Sequence, residues 1–184
     1  SFVQYKSGFR NDLARLGAFC RERDLVFVDD ATQGFGAFPL DASDSAADFL
    51  SFSGYKWATS GYSIAGLYLS ERFLTPEQFP LVGWRSPQEP YALSYDHLDL
   101  PERAAVLEQG HPPFAGVFAL GASLDLIQEI GIAKIAARIT ELTGYLHERL
   151  DAAGIWVLST RDPEHLSGIT VAVADDPAEV VTRL

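Results

Sequence analysis

The chain has 184 residues, 47% of them hydrophobic and 21% charged, with a formal net charge of −11. That length and mixture suit a soluble globular fold with one sizeable core or parts of two, and the negative charge argues against nucleic acid, whose phosphates call for a basic face. The single cysteine, Cys20, excludes an internal disulfide or a cysteine-rich metal site, and no stretch approaches the ~20 apolar residues of a membrane span.

Ser1-Phe2-Val3-Gln4 reads as a strand already under way. Asn11 or Asp12 then caps a predicted helix running to about Asp24, with Leu13, Leu16, Phe19 and Cys20 on one face. Cys20 therefore reads as a core packer, not a nucleophile. Leu25-Val26-Phe27-Val28 is a continuous apolar run that stops at Asp29 and Asp30. A second run, Phe49-Leu50-Ser51-Phe52, stops at Ser53, Tyr55 and Lys56. Continuous apolar runs suit parallel strands covered on both faces, and such sheets bind ligands beyond the carboxyl ends of their strands. Between the two, Gly34-Phe35-Gly36-Ala37-Phe38-Pro39 reads as a loop whose aromatics pack. A returning strand is expected near 64–69.

One crevice would then hold an acid, an amide, a hydroxyl, a phenol and an amine. Asp-x-x-Gln with a later Ser-x-Tyr-Lys is what a pyridoxal 5'-phosphate site needs. A lysine amine condenses with the cofactor aldehyde, and incoming amino acids displace it. A carboxylate facing the pyridine nitrogen keeps it protonated, so the ring accepts electrons from a carbanion. An amide donates to the phenolic oxygen, while hydroxyls and backbone N–H groups after a strand hold the phosphate.

On these motifs the sequence resembles the class V aminotransferases, fold-type I pyridoxal-phosphate enzymes that include cysteine desulfurases, kynureninase-like hydrolases and isopenicillin-N-epimerase-like proteins. The resemblance implies a mostly parallel α/β large domain, with Asp30 at the pyridine nitrogen, Gln33 at the phenolic oxygen, Lys56 as the Schiff-base lysine, and Ser53 and Tyr55 at the phosphate. Spacing to Gln33 selects Asp30 over Asp29. Tyrosine at 55, where desulfurases typically carry histidine, is closer to the kynureninase-like and epimerase-like branches. The family's Gly-Thr-x, whose threonine reaches a neighbouring subunit's phosphate, corresponds to Gly110-His111-Pro112, so that contact loses its usual hydroxyl. A homodimer is implied with it.

Residues 75–114 are broken by Pro76, Pro80, Pro87, Pro90, Pro101, Pro112 and Pro113 and read as a long irregular excursion, of the kind that forms lids or interfaces. Within it Gly83-Trp84-Arg85 matches a Gly-Trp of the kynureninase-like and epimerase-like branches; Trp84 either borders a site or pins its own loop. His97 and His165 show no metal-ligand pattern. Two helices follow, with apolar stripes Val117, Leu120, Leu124, Ile127 and Ile132, Ile135, Ile139, Leu142, Leu146, separated by Gly131. Gly168 to Ala174 alternates as a strand, and residues 177–184 read as a helix. The expected division is a cofactor-domain portion over 1–125 and part of a small α+β domain over 126–184. Both ends read as cut, as in an internal segment of a longer polypeptide.

The reading is a pyridoxal-phosphate enzyme acting on a small amino acid by transamination, epimerisation or C–S or C–C lyase chemistry. No metal is implied, and a cytoplasmic location is expected because no basic-then-apolar leader is present. Two rivals stand beside it: a Mg²⁺-dependent nucleotide-hydrolysing domain using Asp29 and Asp30, which lacks a phosphate-cradling Gly-x-x-x-x-Gly-Lys motif, and a non-catalytic dimerisation segment.

Overall fold

Asp12 caps the first helix, α1 (Leu13–Arg21), its carboxylate accepting the Arg15 backbone N–H at 3.0 Å. That bond satisfies one of the donors every helix start leaves open. In this computed structural model, which describes residues 1–75, 81–93 and 96–184, α1 stops short of the expected Asp24. Asp24 turns left-handed at φ 51°, which a continuing helix does not allow. Leu13 and Gly17 are buried, but Leu16 and Phe19 are exposed. Cys20 is only half-buried and lines a surface cavity with Arg21, Leu25, Asp48, Tyr68 and Arg72, so it is not the core packer expected.

Three strands form one sheet in the order β1 (Val28–Asp30), β2 (Phe49–Ser53), β3 (Ala65–Leu69). β1 and β2 run parallel, with Val28 opposite Phe49 and Asp30 opposite Ser51. β3 returns antiparallel, Ser53 opposite Ala65, so the sheet is mixed. The class is α/β, as expected, but β1 begins later than the apolar run does. Phe27 gives its N–H to the Asp48 carboxylate at 2.8 Å, while its carbonyl takes the N–H groups of Asp48 and Phe49. Regular pairing therefore opens at Val28. Leu25, Val26 and Val28 are exposed, not covered on both faces by the described residues.

Two further expected strands are reduced to isolated bridges. Val3 pairs with Arg10, and Phe2 donates its N–H to the Asp30 carbonyl at 3.0 Å, setting the first segment beside β1. Ala172 pairs with Val157. Around that bridge Leu158 N–H donates to Val171 O at 2.7 Å and Val173 N–H to Trp156 O at 2.9 Å. Serine side chains add to these bonds: Ser159 Oγ donates to Ser7 O at 2.8 Å and accepts from Val171 N, while Ser167 Oγ donates to Gly8 O at 2.6 Å.

The main core gathers Phe2, Val3, Leu13, Ala31, Ala37, Phe38, Ala47 and Leu50, with Phe27, Phe35, Phe52, Trp57, Ile139 and Ile169 packed against it. Phe35 and Phe38 thus pack, as their loop predicts. The excursion remains irregular, with short 3₁₀ turns at Pro90–Ala92 and Ala104–Leu107; Pro76 and Pro80 lie outside the described residues. Helices α2 (Phe114–Ile130) and α3 (Ile132–Ala152) meet at Gly131 with a bend of 79°, and α2 runs unbroken through residue 125. Among the described residues no single helix is long and apolar enough to cross a membrane. The buried positions of α3 are Thr143 and His147; Leu142 and Leu146 of the expected apolar stripe are exposed. A short helix, α4 (Pro177–Arg183), is capped by Asp176.

Candidate cofactor site

Beyond Asp30 the chain folds into a tight turn that hydrogen bonds fix to the next strand. Ala31 N–H donates to Ser51 O at 2.7 Å, Thr32 N–H donates to the Asp30 carboxylate at 2.9 Å, and Ser53 N–H donates to the Thr32 hydroxyl at 3.1 Å. Beneath them the rings of Phe35 and Phe52 stack with centroids 3.6 Å apart. Gly36, at φ +88°, lets the turn pass close to the lysine loop: a Cβ there would stand 2.7 Å from Trp57 O. The Asp-x-x-Gln and Ser-x-Tyr-Lys turns are therefore one braced unit at the carboxyl ends of adjacent parallel strands.

The loop carrying Lys56 closes on itself. Gly54 N–H donates to Ile64 O at 2.8 Å, and both the N–H and the hydroxyl of Ser60 donate to Gly54 O. α2 holds it from outside, since Ser123 Oγ lies 2.7 Å from Thr59 Oγ1 and also bonds Ala58 O. Tyr55 stacks on Tyr62 at 5.2 Å. Lys56 Nζ sits 5.6 Å from the Tyr55 ring centroid and 5.6 Å from that of Tyr5.

Asp29 and Asp30 are separated by the pleat, which sends successive side chains to opposite faces. Asp30 faces the open side; Asp29 is buried, and its carboxylate oxygens make no hydrogen bond among the described residues. The backbone nitrogen of Ser1 lies 3.4 Å from it. Burial pushes the Asp29 carboxyl upward, and Asp30 adds to the rise. The two carboxylates do not share a face, which does not favour a Mg²⁺ site built on the pair.

Asp30, Gln33, Ser53, Tyr55 and Lys56 all emerge at this one edge. Among the described residues, the side chains of Gln33, Ser53, Tyr55 and Lys56 make no hydrogen bond, whereas Thr32, Ser60 and Ser123 spend theirs inside the scaffold. An amine, a carboxylate, an amide, a hydroxyl and a phenol with uncommitted valence fit pyridoxal phosphate. Thr32 and Tyr5 stand beside these candidates, by a hydrogen bond to Ser53 and by proximity to Lys56, and neither is singled out in the sequence. Thr32 lies between the two marked positions of Asp-x-x-Gln; nothing in the sequence signals Tyr5, which only the turn of the first segment brings near.

The expected Trp84 edges onto Tyr91 and His111, at 5.8 and 4.8 Å between centroids. Within this chain it pins its own loop. Arg85 bonds the Tyr91 hydroxyl and Glu108, each at 3.3 Å. His165 bonds Arg10 O through Nδ1 at 2.8 Å and stacks on Phe9.

With this arrangement in view, relatives are informative. Residues 1–184 match the family described as Aminotransferase class-V. A probable cysteine desulfurase of Pyrococcus abyssi is 30% identical over 162 residues, covering 88% of this chain and 40% of that protein. A kynureninase of Deinococcus radiodurans is 30% identical over 142 residues, covering 77% of this chain and 34% of that protein. In structure, the apo cysteine desulfurase of Thermococcus onnurineus superposes with a TM-score of 0.87 at 27% identity, covering 98% of this chain and 45% of that one. The chain belongs to the class V aminotransferase family, whose members depend on pyridoxal 5'-phosphate. It spans less than half the length of each of these relatives.

Proposed function

We propose that this chain is the lysine-bearing part of a pyridoxal-phosphate enzyme that acts on a free amino acid. The observation that carries the reading is the convergence of four uncommitted side chains, Gln33, Ser53, Tyr55 and Lys56, with Asp30 at the carboxyl ends of β1 and β2. When bound, the cofactor supplies an electron sink for a carbanion at the substrate. Asp30 holds a proton at the pyridine nitrogen, and the Thr32 N–H fixes its carboxylate for that task. Gln33 donates to the phenolic oxygen. Ser53 and Tyr55 bind phosphate, Tyr55 braced by Tyr62. Lys56 anchors the cofactor and, once released, carries a proton to or from the substrate carbon.

We place residues 1–125 in the cofactor domain and 126–184 in a smaller one. The separate 157–172 bridge supports a second unit, with α2 running unbroken through residue 125 and turning only at Gly131, while the serine bonds to Ser7 and Gly8 tie the two together. A homodimer is proposed with it: Phe114, Val117 and Phe118 of α2 are exposed beside the irregular excursion, a surface of the kind that covers itself in a dimer. A cytoplasmic location completes the reading. The deciding experiment is borohydride reduction of the holoprotein. Wild type should retain cofactor covalently on Lys56; Lys56→Ala should retain none and lose turnover by orders of magnitude. Covalent trapping at wild-type stoichiometry in Lys56→Ala would remove Lys56 from this role.

A further inference from the structure

We infer that Tyr5 is a specificity-determining residue of this site, selecting amino acids with apolar or aromatic side chains; the inference rests on the pyridoxal-phosphate reading above. The tyrosine stands in a tight turn between the bridged residues Val3 and Arg10. Gln4 N–H donates to Phe9 O at 2.9 Å and Gly8 N–H to Gln4 O at 2.8 Å. Ser159 and Ser167 clamp the same turn through Ser7 O and Gly8 O, and Phe2 N–H ties its start to Asp30 O. Tyr5 is thus held beside the site by backbone bonds on both sides, although its own side chain is 70% exposed and its hydroxyl makes no hydrogen bond among the described residues.

Two rings reach the Lys56 amine at equal distance, and their circumstances differ. Tyr55 is stacked on Tyr62 and, in the proposed reading, committed to phosphate. Tyr5 has no such commitment. An amino acid that displaces Lys56 would bring its α-nitrogen to the position of that amine, so its α-carbon lies one bond and its side chain two bonds from this point. A flat, open ring held there offers a stacking or apolar surface, which rewards an aromatic or apolar side chain and gives a methyl group little. A substrate wall therefore comes from the first segment of the chain, well away in sequence from the lysine.

The test titrates cofactor absorbance of the holoprotein with L-phenylalanine and with L-alanine, in wild type, Tyr5→Phe and Tyr5→Ala. Wild type and Tyr5→Phe should prefer phenylalanine. Tyr5→Ala should lose about three- to tenfold in phenylalanine affinity, the reach of one aromatic contact, and leave alanine unmoved. An unchanged ratio, or equal losses for both ligands, overturns the inference. A cofactor-free measurement checks the geometry: in ¹³C-methylated apoprotein the Lys56 resonance should shift in Tyr5→Ala and stay near wild type in Tyr5→Phe. A Lys56 resonance indifferent to Tyr5→Ala also overturns it. Should wild type hold no reducible cofactor at all, the functional reading itself falls and the selectivity with it, an outcome distinct from a holoprotein that binds both amino acids alike.

Discussion

The Thr32 hydroxyl accepts the Ser53 backbone N–H at 3.1 Å, joining the turn after β1 to the last residue of β2. Neither residue's neighbours in the motif can move independently while that bond holds. Asp30 and Gln33 flank Thr32, and Tyr55 and Lys56 follow Ser53. The pyridine side and the phosphate side of the proposed site are thereby set at a fixed separation.

Thr32→Val keeps the shape and removes the acceptor, leaving a half-buried N–H without a partner at a cost of about 1–3 kcal/mol. Melting temperature should fall by a few degrees, and cofactor affinity should fall several-fold because both halves of the site loosen. Thr32→Ser should recover most of both. A Thr32→Val protein with wild-type cofactor affinity would show that the two turns are positioned by packing alone.

The two adjacent aspartates should respond differently to amide substitution. Asp30→Asn should keep cofactor and lose most activity, because an amide does not favour a protonated pyridine nitrogen. For Asp29 the informative variable is pH. Burial raises its carboxyl above the ordinary ~3.9, so both native and unfolded states are protonated below that value. As pH rises through the window up to the raised value, the unfolded state releases its proton first and the wild type loses stability. Asp29→Asn has no proton to lose, so its stability relative to wild type should climb across that window. Denaturant midpoints taken through the acid range decide it; parallel curves would mean that Asp29 is not desolvated in the folded protein. Equal activity losses in the two variants would overturn the register that selects Asp30.

A methyl group at Gly54 would run into Ser60 Oγ and the Ile64 side chain, the two residues that close the lysine loop. Gly54→Ala should therefore destabilise by about 1–3 kcal/mol, as overpacking does, and should misplace Tyr55 and Lys56. Cofactor binding should weaken more than in a surface control of equal stability loss. Retained affinity would show that the loop can open without disturbing its amine.

The strand ends that carry the candidate residues were legible. Motif spacing singles out Asp30, Gln33, Ser53, Tyr55 and Lys56 as candidates, and the strands β2 and β3 stand where the sequence places them. Contacts made through polar side chains were not legible. Phe27 surrenders its N–H to Asp48, which delays β1, and Ser159 and Ser167 hold the segments where regular strands were expected. Along α3 the apolar period points to Leu142 and Leu146, yet Thr143 is buried and bonds Ser167 O at 2.9 Å. Apolar periodicity carries no information about partners of that kind.

His147 offers the last test, since it is buried on α3 with Nε2 3.1 Å from the Thr170 hydroxyl. Burial lowers its pKa, the Arg161 charge lowers it further, and Asp151 opposes. In the unfolded chain the imidazole takes a proton near ~6.5. Below that pH the unfolded state binds the proton and the native state resists it, so stability is fully present above ~6.5 and is lost as pH falls toward the depressed folded value. His147→Gln keeps a group able to bond Thr170 and cannot titrate. Wild type should therefore lose stability relative to His147→Gln as pH falls below about 6.5, read as a falling melting temperature. If the difference between the two proteins is flat over that range, the imidazole is not desolvated and the packing of α3 against residues 167–170 is looser than its hydrogen bonds indicate.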